Sequence, residues 1–427
     1  MARKMKDSGI EWIGEIPEGW EIVPVRSCFD EVRTKNTDGQ EQNALQFKSG
    51  NIISKTNFNA SMDDYVADTI TNYTVVLPDT VMINGLNLNY DFKSLRVALV
   101  KEKGVITSAY LAIFPDRKKI SPQYATYLFK GYETKMAFHN MGAGIRKTLG
   151  YKEFKNQPLL LPSEKEQNKI SAYLDSKCSH IDIILSKISS SIEEYKKLKQ
   201  AVITQAVTKG VRGEREMKDS GVEWIGEIPK EWVCEKIKYA TSISRGLFNH
   251  RPRNDERYYN GKYPFIQTGD VANATKYIVS YSQTLNELGK SVSKEFPKGT
   301  LTMTIAANVG DVAILNFDAY FPDSVVGFIP NKNIRTLYLF YVFSAMKDEF
   351  IRTAIKSTQL NLNIDRVKET FIPVTLNVNE QCEIENYLES KCAEIDGLIA
   401  KKEQLVKELE SYKKSLIYEV VTGKREV

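Results

Sequence analysis

Two segments of this chain are near copies of each other, and this repeat restricts the possible folds more than any other feature. "MKDSGIEWIGEIPEGW" occupies residues 5–20 and "MKDSGVEWIGEIPKEW" occupies residues 217–232, with thirteen of sixteen positions identical. We call these the tryptophan segments, because they contain every tryptophan of the chain: Trp12, Trp20, Trp224 and Trp232. An internal repeat of this kind indicates that one structural unit is built twice.

A second pair of similar segments follows the first at nearly the same offset. "EQNKISAYLDSKCSHID" occupies residues 166–182 and "EQCEIENYLESKCAEID" occupies residues 380–396. Each half therefore contains a tryptophan segment, a long variable stretch and then an EQ segment. After the first EQ segment, "TKGVRGEREMKDSG" leads into the second half, and the ending "TGKREV" followed by the start "MARKMKDSG" would form a similar connection. We therefore expect the two ends of the chain to be close in space. Repeated ends around different middles predict a common frame that carries two different domains.

The EQ segments predict two long helices. Ser163 with Glu166, and Asn377 with Glu380, have the spacing of a capping box, and Gly210 and Gly423 are suitable stops. Between caps and stops, apolar residues recur at alternating spacings of four and three, a 3.5-residue repeat that predicts a coiled-coil seam. The two series, interrupted by three lysines, are Leu174, Cys178, Ile181, Leu185, Ile188, Ile192, Tyr195, Lys199, Val202 and Ala206, and Leu388, Cys392, Ile395, Ile399, Lys402, Val406, Leu409, Lys413, Leu416 and Val420.

The variable stretches are mixed in secondary structure. Short β-rich runs such as "YTVVLPDTVMI", "RVALV", "GTLTMTIAA" and "DVAIL" precede the helical stretches "PQYATYLFKGYETKMAF" and "TLYLFYVFSAMKDEFIRTAI". We therefore predict an α+β chain with two mixed α/β domains, separated by an antiparallel coiled coil of long helices and related by a pseudo-twofold repeat. The predicted segments are domains at 1–162 and 211–376 and helices at 163–210 and 377–427.

Composition excludes several classes of protein. Five cysteines without a CxxC pair argue against a disulfide framework or a zinc ribbon, and only three histidines are present. No apolar run is long enough to cross a bilayer, and the start of the chain has no signal-peptide core, so we expect a cytoplasmic protein. The net charge of +5 and the pI near 8.6 permit a polyanionic partner.

The sequence contains no complete catalytic motif. A Walker A pattern and a dinucleotide fingerprint are both absent, and Cys178 and Cys392 fall on the apolar seam, which favours core packing. Asp116, Glu133 and Lys135 match a loose nuclease spacing, in which carboxylates would hold Mg²⁺, but so short a pattern arises easily by chance. We therefore expect a chain that is not an enzyme by itself.

Taken together, the motifs resemble the specificity subunit of Type I restriction-modification enzymes over essentially the whole chain. "SGIEWIGEIPEGW" and "SGVEWIGEIPKEW" are similar to the opening of each target recognition domain in that family, and "PSEKEQNKISAYLDSK" and "NEQCEIENYLESK" are similar to the start of its conserved helices. The resemblance implies that each domain reads one half of a bipartite target in double-stranded DNA, while the helices set the spacer and dock two methyltransferase subunits. Two motor-nuclease subunits would then join, and the partners would handle S-adenosylmethionine, ATP and Mg²⁺, with no cofactor or metal in this chain.

Candidate DNA contacts follow from the side chains that match base edges, chiefly Arg or Lys to guanine and Asn or Gln to adenine. The candidates lie in "NGLNLNYDFKSLR", "HNMGAGIRK", "SRGLFNHRPR" and "STQLNLN": Asn84, Asn87, Asn89, Tyr90, Lys93, Arg96, Asn140, Arg146, Lys147, Arg245, Asn249, Arg251, Arg253, Gln359, Asn361 and Asn363. Lys55, Lys262 and Lys276 are candidates for phosphate contacts, which position without specifying.

Three other interpretations remain open at this point. A scaffold whose two domains bind proteins has the same frame, and so does an anti-restriction relative without productive DNA recognition. The third interpretation is a nuclease that uses Asp116, Glu133 and Lys135.

Overall fold

The computed structural model describes residues 3–48, 50–55, 70–92, 95–141, 147–250, 253–353, 355–356 and 360–427. The chain divides into two compact units, the first formed by residues 1–189 and 403–427 and the second by residues 190–402. Each unit contains the first part of one long helix and the last part of the other, whereas the sequence segments predicted above place each long helix by itself. Within the described residues, no helix is long and apolar enough to span a membrane.

The first unit is built from short strands, two short helices and a long one. Its strands are β1 (Met5–Asp7), β2 (Glu15–Pro17), β3 (Glu21–Pro24), β4 (Phe29–Glu31), β5 (Leu45–Lys48), β6 (Asn51–Ser54), β7 (Thr74–Val76), β8 (Val81–Ile83), β9 (Val97–Leu99), β10 (Gly104–Ile106), β11 (Leu111–Pro115) and β12 (Pro158–Leu161). Its helices are α1 (Pro122–Thr134), α2 (Tyr151–Phe154) and α3 (Glu164–Lys209), of which α3 continues into the second unit.

An antiparallel sheet in the order β4-β11-β8-β9 forms the centre of the first unit. Strand β8 is buried at all three positions, as expected for a central strand covered on both faces. Helix α1 packs against this sheet and against α3, so that Ile113, Leu128 and Leu174 belong to one buried cluster. Two further antiparallel pairs, β5–β6 and β10–β7, extend the unit beyond this core.

The second unit has more strands and more short helices. Its strands are β13 (Met217–Asp219), β14 (Glu227–Pro229), β15 (Val233–Lys236), β16 (Thr241–Arg245), β17 (Tyr259–Phe265), β18 (Tyr277–Ile278), β19 (Gln283–Leu285), β20 (Glu295–Phe296), β21 (Leu301–Thr304), β22 (Val312–Leu315), β23 (Ala319–Tyr320), β24 (Val325–Pro330), β25 (Ile355–Lys356), β26 (Leu360–Asn361) and β27 (Phe371–Val374). Its helices are α4 (Ile237–Ala240), α5 (Thr268–Asn273), α6 (Glu287–Ser291), α7 (Thr336–Ala345), α8 (Lys347–Thr353), α9 (Ile364–Glu369) and α10 (Val378–Val421), of which α10 continues into the first unit.

The main sheet of the second unit has the order β16-β24-β21-β22-β18. Its first four strands follow the same chain order as β4-β11-β8-β9 in the first unit. The second unit then adds a sheet of its own, β19-β17-β23-β20, over an aromatic cluster that includes Phe248, Tyr259 and Phe265. The β-rich runs and the helical stretches predicted from the sequence are confirmed as strands and helices, except that "TLYLFYVFSAMKDEFIRTAI" forms two helices, α7 and α8, instead of one.

Each tryptophan segment folds into the same hairpin. Strands β1 and β2 pair with Met5 opposite Pro17, and β13 and β14 pair with Met217 opposite Pro229. The next strand of each unit then pairs with the strand that precedes the long helix, β3 with β12 and β15 with β27. The variable part of each unit is therefore inserted between two paired strands.

The long helices contact each other inside each unit. In the first unit, the Lys413 ammonium group lies 2.6 Å from the Asp182 carboxylate, and in the second unit Lys199 lies 2.7 Å from Asp396. The Lys402 ammonium group also lies over the Tyr195 ring, 5.4 Å from its centroid. Tyr195 of α3 thus contacts Lys402 of α10, and Lys199, further along α3, contacts Asp396, which comes earlier in α10. The two helices therefore run antiparallel there. Gly210 and Gly423 end the helices in the left-handed conformation, with φ of +74° and +72°.

Candidate nucleic-acid interface

A cluster of one arginine, one tryptophan and one glutamate joins each tryptophan segment to a long helix, and its glutamate is buried in the second unit and partly exposed in the first. In the second unit, Trp232 Nε1 donates to Glu380 Oε2 at 3.2 Å, and Arg215 Nη1 donates to Glu380 Oε1 at 2.6 Å. The Arg215 guanidinium also lies over the Trp232 ring, 5.4 Å from its centroid. A buried carboxylate is tolerated because an arginine and two further donors satisfy it, the second being the Thr375 hydroxyl at 3.0 Å.

The first unit repeats this cluster. Trp20 Nε1 donates to Glu166 Oε2 at 2.9 Å, and Arg3 pairs with Glu166 and covers the Trp20 ring at 5.4 Å. The side chains of Glu166 and Glu380 are thus taken by tryptophan and arginine, so the predicted capping boxes are wrong in their glutamate half. The Asn377 side chain does cap its helix, accepting from the Glu380 N–H at 3.3 Å. Arg3 and Arg215 were not among the residues predicted from the sequence, although both stand two positions before the Met of the shared tripeptide "MKD".

The glutamine of each EQ motif connects the long helix to the variable part of the unit. Gln167 Oε1 accepts from the Ser121 N–H, the N-cap of α1, at 2.8 Å, and Gln381 Oε1 accepts from the Arg335 N–H, the N-cap of α7, at 2.8 Å. The amide nitrogen of Gln381 donates to the Thr375 carbonyl at 2.7 Å, and that of Gln167 donates to Pro162 at 3.0 Å. The EQ motif therefore orients the helix that supports each main sheet.

In the first unit, the structure brings two predicted DNA-contacting segments together. The connection between β8 and β9 contains Asn84 to Arg96, and the Leu88 N–H donates to the Lys147 carbonyl at 3.1 Å. The Leu149 N–H donates to the Gly85 carbonyl at 2.9 Å, so the stretch after α1 lies against this connection. Tyr90 is 71% exposed, more than the other large hydrophobic side chains that the structure describes in this segment.

The remaining candidates of the first unit differ in their availability. Asn87 and Lys147 are exposed and have positive φ, whereas Asn84 is partly buried and caps its own turn by accepting from the Leu86 N–H at 3.2 Å. Asn89 is partly buried. Lys93, Arg146 and the Asn140 side chain lie outside the described residues. In this conformation Arg96 is not free to reach a base, because its side chain is buried and its donors are held by backbone carbonyls.

In the second unit, two candidates contact the turn before β24, and a third lies elsewhere. Arg245 Nε donates to the Asp323 carbonyl at 2.5 Å, and the Arg253 guanidinium pairs with the Asp323 carboxylate. Asn249 is exposed, and its backbone N–H donates to the Val292 carbonyl at 3.0 Å. The two arginines are therefore fixed at one end of the main sheet.

The fourth predicted segment is only partly described. Asn363 is exposed, and its side chain caps α9 by accepting from the Asp365 N–H at 2.8 Å. The Leu362 N–H donates to the Ile305 carbonyl at 2.9 Å, which places this segment at the carboxyl end of β21. Arg251 and Gln359, together with the Asn361 side chain, lie outside the described residues.

Two further candidates are visible only in the fold. Phe92 is 57% exposed and stacks on His139 at 5.1 Å, beside the predicted contacts of the first unit. Asn308 is exposed in the connection from β21 to β22, which takes the place of the β8–β9 connection in the second unit. The residues "IAANVGD" do not by themselves indicate a DNA contact. Only the equivalent positions of the two sheets identify this loop as a candidate.

The carboxylates of the loose nuclease pattern have other roles. Asp116 accepts from the Lys118 N–H at 3.1 Å, Glu133 accepts from the Arg96 N–H at 2.5 Å, and Lys135 lies over the Tyr418 ring at 4.6 Å. No group of three or more metal-ligating side chains occurs in the part of the chain that the structure describes. Burial raises the pKa of the Cys178 and Cys392 thiols, which fits core packing. The geometry therefore offers surfaces for binding and no assembled catalytic group among these residues.

Comparison with known proteins agrees with this frame. The family model for the Type I restriction modification DNA specificity domain matches residues 243–408. The putative type I restriction enzyme MjaX specificity subunit of Methanocaldococcus jannaschii is 24% identical over 426 residues, which cover 96% of this chain and 95% of that one. The MjaVIII specificity subunit of the same organism is 23% identical over 96% of this chain and 93% of its own length. This chain is similar to Type I restriction specificity subunits over almost its whole length.

Solved structures show the same fold as this chain. A chain from a structural study of complex assembly and conformational transition in the type I R-M system has a TM-score of 0.71 and 14% identity, covering 96% of this chain and 99% of that one. The HsdS subunit from Thermoanaerobacter tengcongensis has a TM-score of 0.50, also at 14% identity, covering 96% of this chain and 98% of that one. The overall fold is thus preserved at a low level of identity.

Proposed function

We propose that this chain is the non-catalytic DNA-recognition subunit of a Type I restriction-modification complex, with each unit reading one half of a bipartite target. The observation that carries the proposal is the duplicated Arg–Trp–Glu cluster, which attaches two different sets of loops to equivalent positions of two long helices. Recognition of two unlike half-sites requires two copies of the same frame that carry different loops. Similarity to Type I restriction specificity subunits over almost the whole chain supports the same assignment.

The exposed side chains of the loops supply the proposed DNA contacts. Asn87, Tyr90 and Lys147 act in the first unit, and Arg245, Asn249, Arg253 and Asn363 act in the second. Asparagine suits adenine, and arginine suits guanine. Breaking the Arg253–Asp323 pair on binding costs little, because Arg253 is 45% exposed in its side chain and such pairs are weak.

The long helices are the proposed spacer. Their antiparallel contacts and their 3.5-residue apolar repeat support a coiled coil, which would place the two recognition domains in a pseudo-twofold arrangement. We propose domains at 1–162 and 211–376 on this basis, with helical segments at 163–210 and 377–427. Two methyltransferase subunits would dock on the helices and two motor-nuclease subunits would join them, bringing S-adenosylmethionine, ATP and Mg²⁺, in the cytoplasm where the target DNA lies.

A methylome tests the proposal. The full chain is expressed with its cognate methyltransferase subunit in a methylation-free host, and modified bases are mapped by single-molecule sequencing. The expected result is one bipartite motif with a fixed gap. If the two proteins assemble and no motif is modified, the recognition assignment is contradicted, and a protein-binding scaffold or an anti-restriction relative replaces it.

A further inference from the structure

The β8–β9 connection of the first unit is long and contains no helix or strand in its described part. It begins at Asn84 and ends at Arg96, where the Asn84 N–H donates to the Arg96 carbonyl at 2.8 Å. The equivalent β21–β22 connection of the second unit is shorter. It closes by backbone bonds from Thr304 N–H to Asp311 at 3.0 Å and from Gly310 N–H to Thr304 at 2.9 Å, and by the Thr304 hydroxyl, which donates to the Asn308 carbonyl. The longer connection needs another source of order, because its inner carbonyls have no strand partner.

The Arg96 guanidinium supplies that order. Nη1 donates to the carbonyls of Asn84 at 2.8 Å and Leu86 at 2.9 Å, and Nη2 donates to the carbonyl of Asp91 at 2.5 Å. The side chain is 1% exposed, and the Asp91 carboxylate lies 3.7 Å away as a counter-charge. One planar group thus fixes both sides of the connection, which a single amide or ammonium group could not do.

The same residue ties the connection to the frame. The Arg96 N–H donates to Glu133 Oε1 at 2.5 Å, and Glu133 lies in the last turn of α1. Helix α1 is in turn held by Gln167 and by Asp175 of α3, the latter through the Tyr127 hydroxyl at 2.7 Å. A continuous set of contacts therefore runs from the long helix to the loop.

The exposed part of the loop depends on this core. Phe92 stacks on His139 with an interplanar angle of 11°, and His139 Nε2 donates to the same Asp91 carbonyl that Arg96 holds. Asn87 and Tyr90 lie between the carbonyls that the guanidinium fixes, and both face solvent. The candidate contacts are thus carried on a backbone that one buried side chain organises.

We propose that Arg96 is a positioning residue for DNA recognition, which holds residues 84–92 in the conformation that reads the half-site of the first unit. The inference rests on the proposed function and changes the role of Arg96 from a base contact to an internal support. Arg96 would never touch DNA, yet the sequence preference of one half-site depends on it.

The test compares Arg96→Met with Arg96→Lys and with Arg117→Met as a matched control. Methionine keeps an apolar stem but removes the guanidinium donors from all three carbonyls, of which only the Asp91 carbonyl keeps another donor among the described residues, His139. Lysine keeps the charge but cannot bond in both directions. Arg117 belongs to the same unit, is 59% exposed and pairs only at the surface with Asp79. Each variant of the full chain is expressed with the cognate methyltransferase subunit in a methylation-free host. The methylome and the thermal unfolding of the purified complex are then measured.

We expect the fraction of modified sites that depart from the motif in one half-site to rise at least about fivefold in Arg96→Met, since each base contact contributes about 1–3 kcal/mol to discrimination. The other half-site and the spacer stay unchanged, and Arg117→Met has the parent motif. Arg96→Lys, which serves if Arg96→Met does not assemble, relaxes the same half-site to a lesser degree.

An unchanged motif in an assembled Arg96→Met or Arg96→Lys complex would overturn the positioning role. Equal relaxation of both half-sites would overturn it too, because a local support affects one reading loop only. If the parent protein itself gives no bipartite motif, the proposed function fails, and this outcome is distinct from a failure of the positioning role.

Discussion

At the residue scale, Trp232 and Trp224 differ in whether the indole N–H has a hydrogen-bond partner. Both belong to the second tryptophan segment, but Trp232 is fully buried and donates to Glu380, whereas Trp224 Nε1 is buried without a partner among the described residues. The tryptophan that holds the frame is therefore the second of each segment. The sequence alone does not distinguish between the four tryptophans.

Replacing these two tryptophans separates their roles. Trp232→Phe removes the donor to a buried carboxylate and leaves a small cavity, so we expect it to lower the free energy of unfolding by about 1–3 kcal/mol more than Trp224→Phe does. Urea unfolding of the purified chain measures the difference. Equal losses in the two variants would show that the Glu380 bond contributes nothing.

Glu133 makes the stability of the first unit depend on pH. Burial raises its pKa from the ordinary value to about 7, opposed by Lys130 on its own helix, by Arg96 on the loop and by Lys414 on α10. Because the folded pKa lies above the unfolded one, this group's contribution to stability is fully present below about pH 4.5 and is lost as the pH rises through about 7.

The Glu133→Gln variant tests this dependence. Glutamine keeps an acceptor for the Arg96 N–H and cannot ionise, so the variant should lose less stability than the parent between pH 5 and pH 8. Thermal melts across this range measure the difference, with Glu153→Gln, also in the first unit, as the control. A parallel fall in parent and variant would assign the pH dependence to other groups.

At the element scale, the long helices could be predicted because their signals are local. Apolar spacing, caps and glycine stops lie within a few residues of the structure they specify. The partner of Glu166 could not be predicted in this way, since Trp20 lies 146 residues away and the local pattern favours a capping box instead. Arg96 was misjudged for a related reason: an arginine beside "VALV" looks like a surface residue until the fold closes over it.

Gly423 shows how closely the end of α10 approaches the first tryptophan segment. A Cβ added there would contact the Pro17 ring and would lie 3.3 Å from Trp20, and the residue has φ of +72°. Gly221 has a similar φ of +68° and nothing within 4 Å. The two glycines therefore share a left-handed backbone conformation, which would strain any substituted residue, and they differ in how closely their surroundings pack.

We expect Gly423→Ala to destabilise the first unit by more than Gly221→Ala destabilises the second. The backbone term, about 1–2 kcal/mol, is common to both substitutions, and only Gly423→Ala adds a clash. Thermal unfolding of the two variants checks the order. If Gly221→Ala is equally destabilising, the close approach of Gly423 to Pro17 does not contribute to the loss of stability.

At the scale of the whole molecule, the length of the helices should set the gap between half-sites. Adding one heptad after Ser189 and one after Glu403 keeps the apolar seam and lengthens each helix by roughly 10 Å, about three base pairs. The methylome of this variant should show the parent half-sites with a gap longer by about three base pairs. Changed half-sites with the same gap would contradict the spacer role.

The repeat of the frame was evident in the sequence, whereas the likeness of the two recognition domains was not. Their sheets share one strand order although the second unit has an additional sheet, and such agreement appears only when strands pair across long sequence separations. The loops at the sheet ends follow no repeat. Residue type could therefore suggest candidate DNA contacts, but it could not tell which of them face the DNA.

The central claim is that the two units are equivalent mounts for interchangeable reading domains. The most direct measurement is the methylome of a chimera in which residues 25–157 replace residues 237–370, so that β15 and β27 carry the domain normally held by β3 and β12. The account predicts an inverted repeat of one parent half-site, separated by the parent gap. An assembled chimera that modifies the original asymmetric motif, or none, would contradict it.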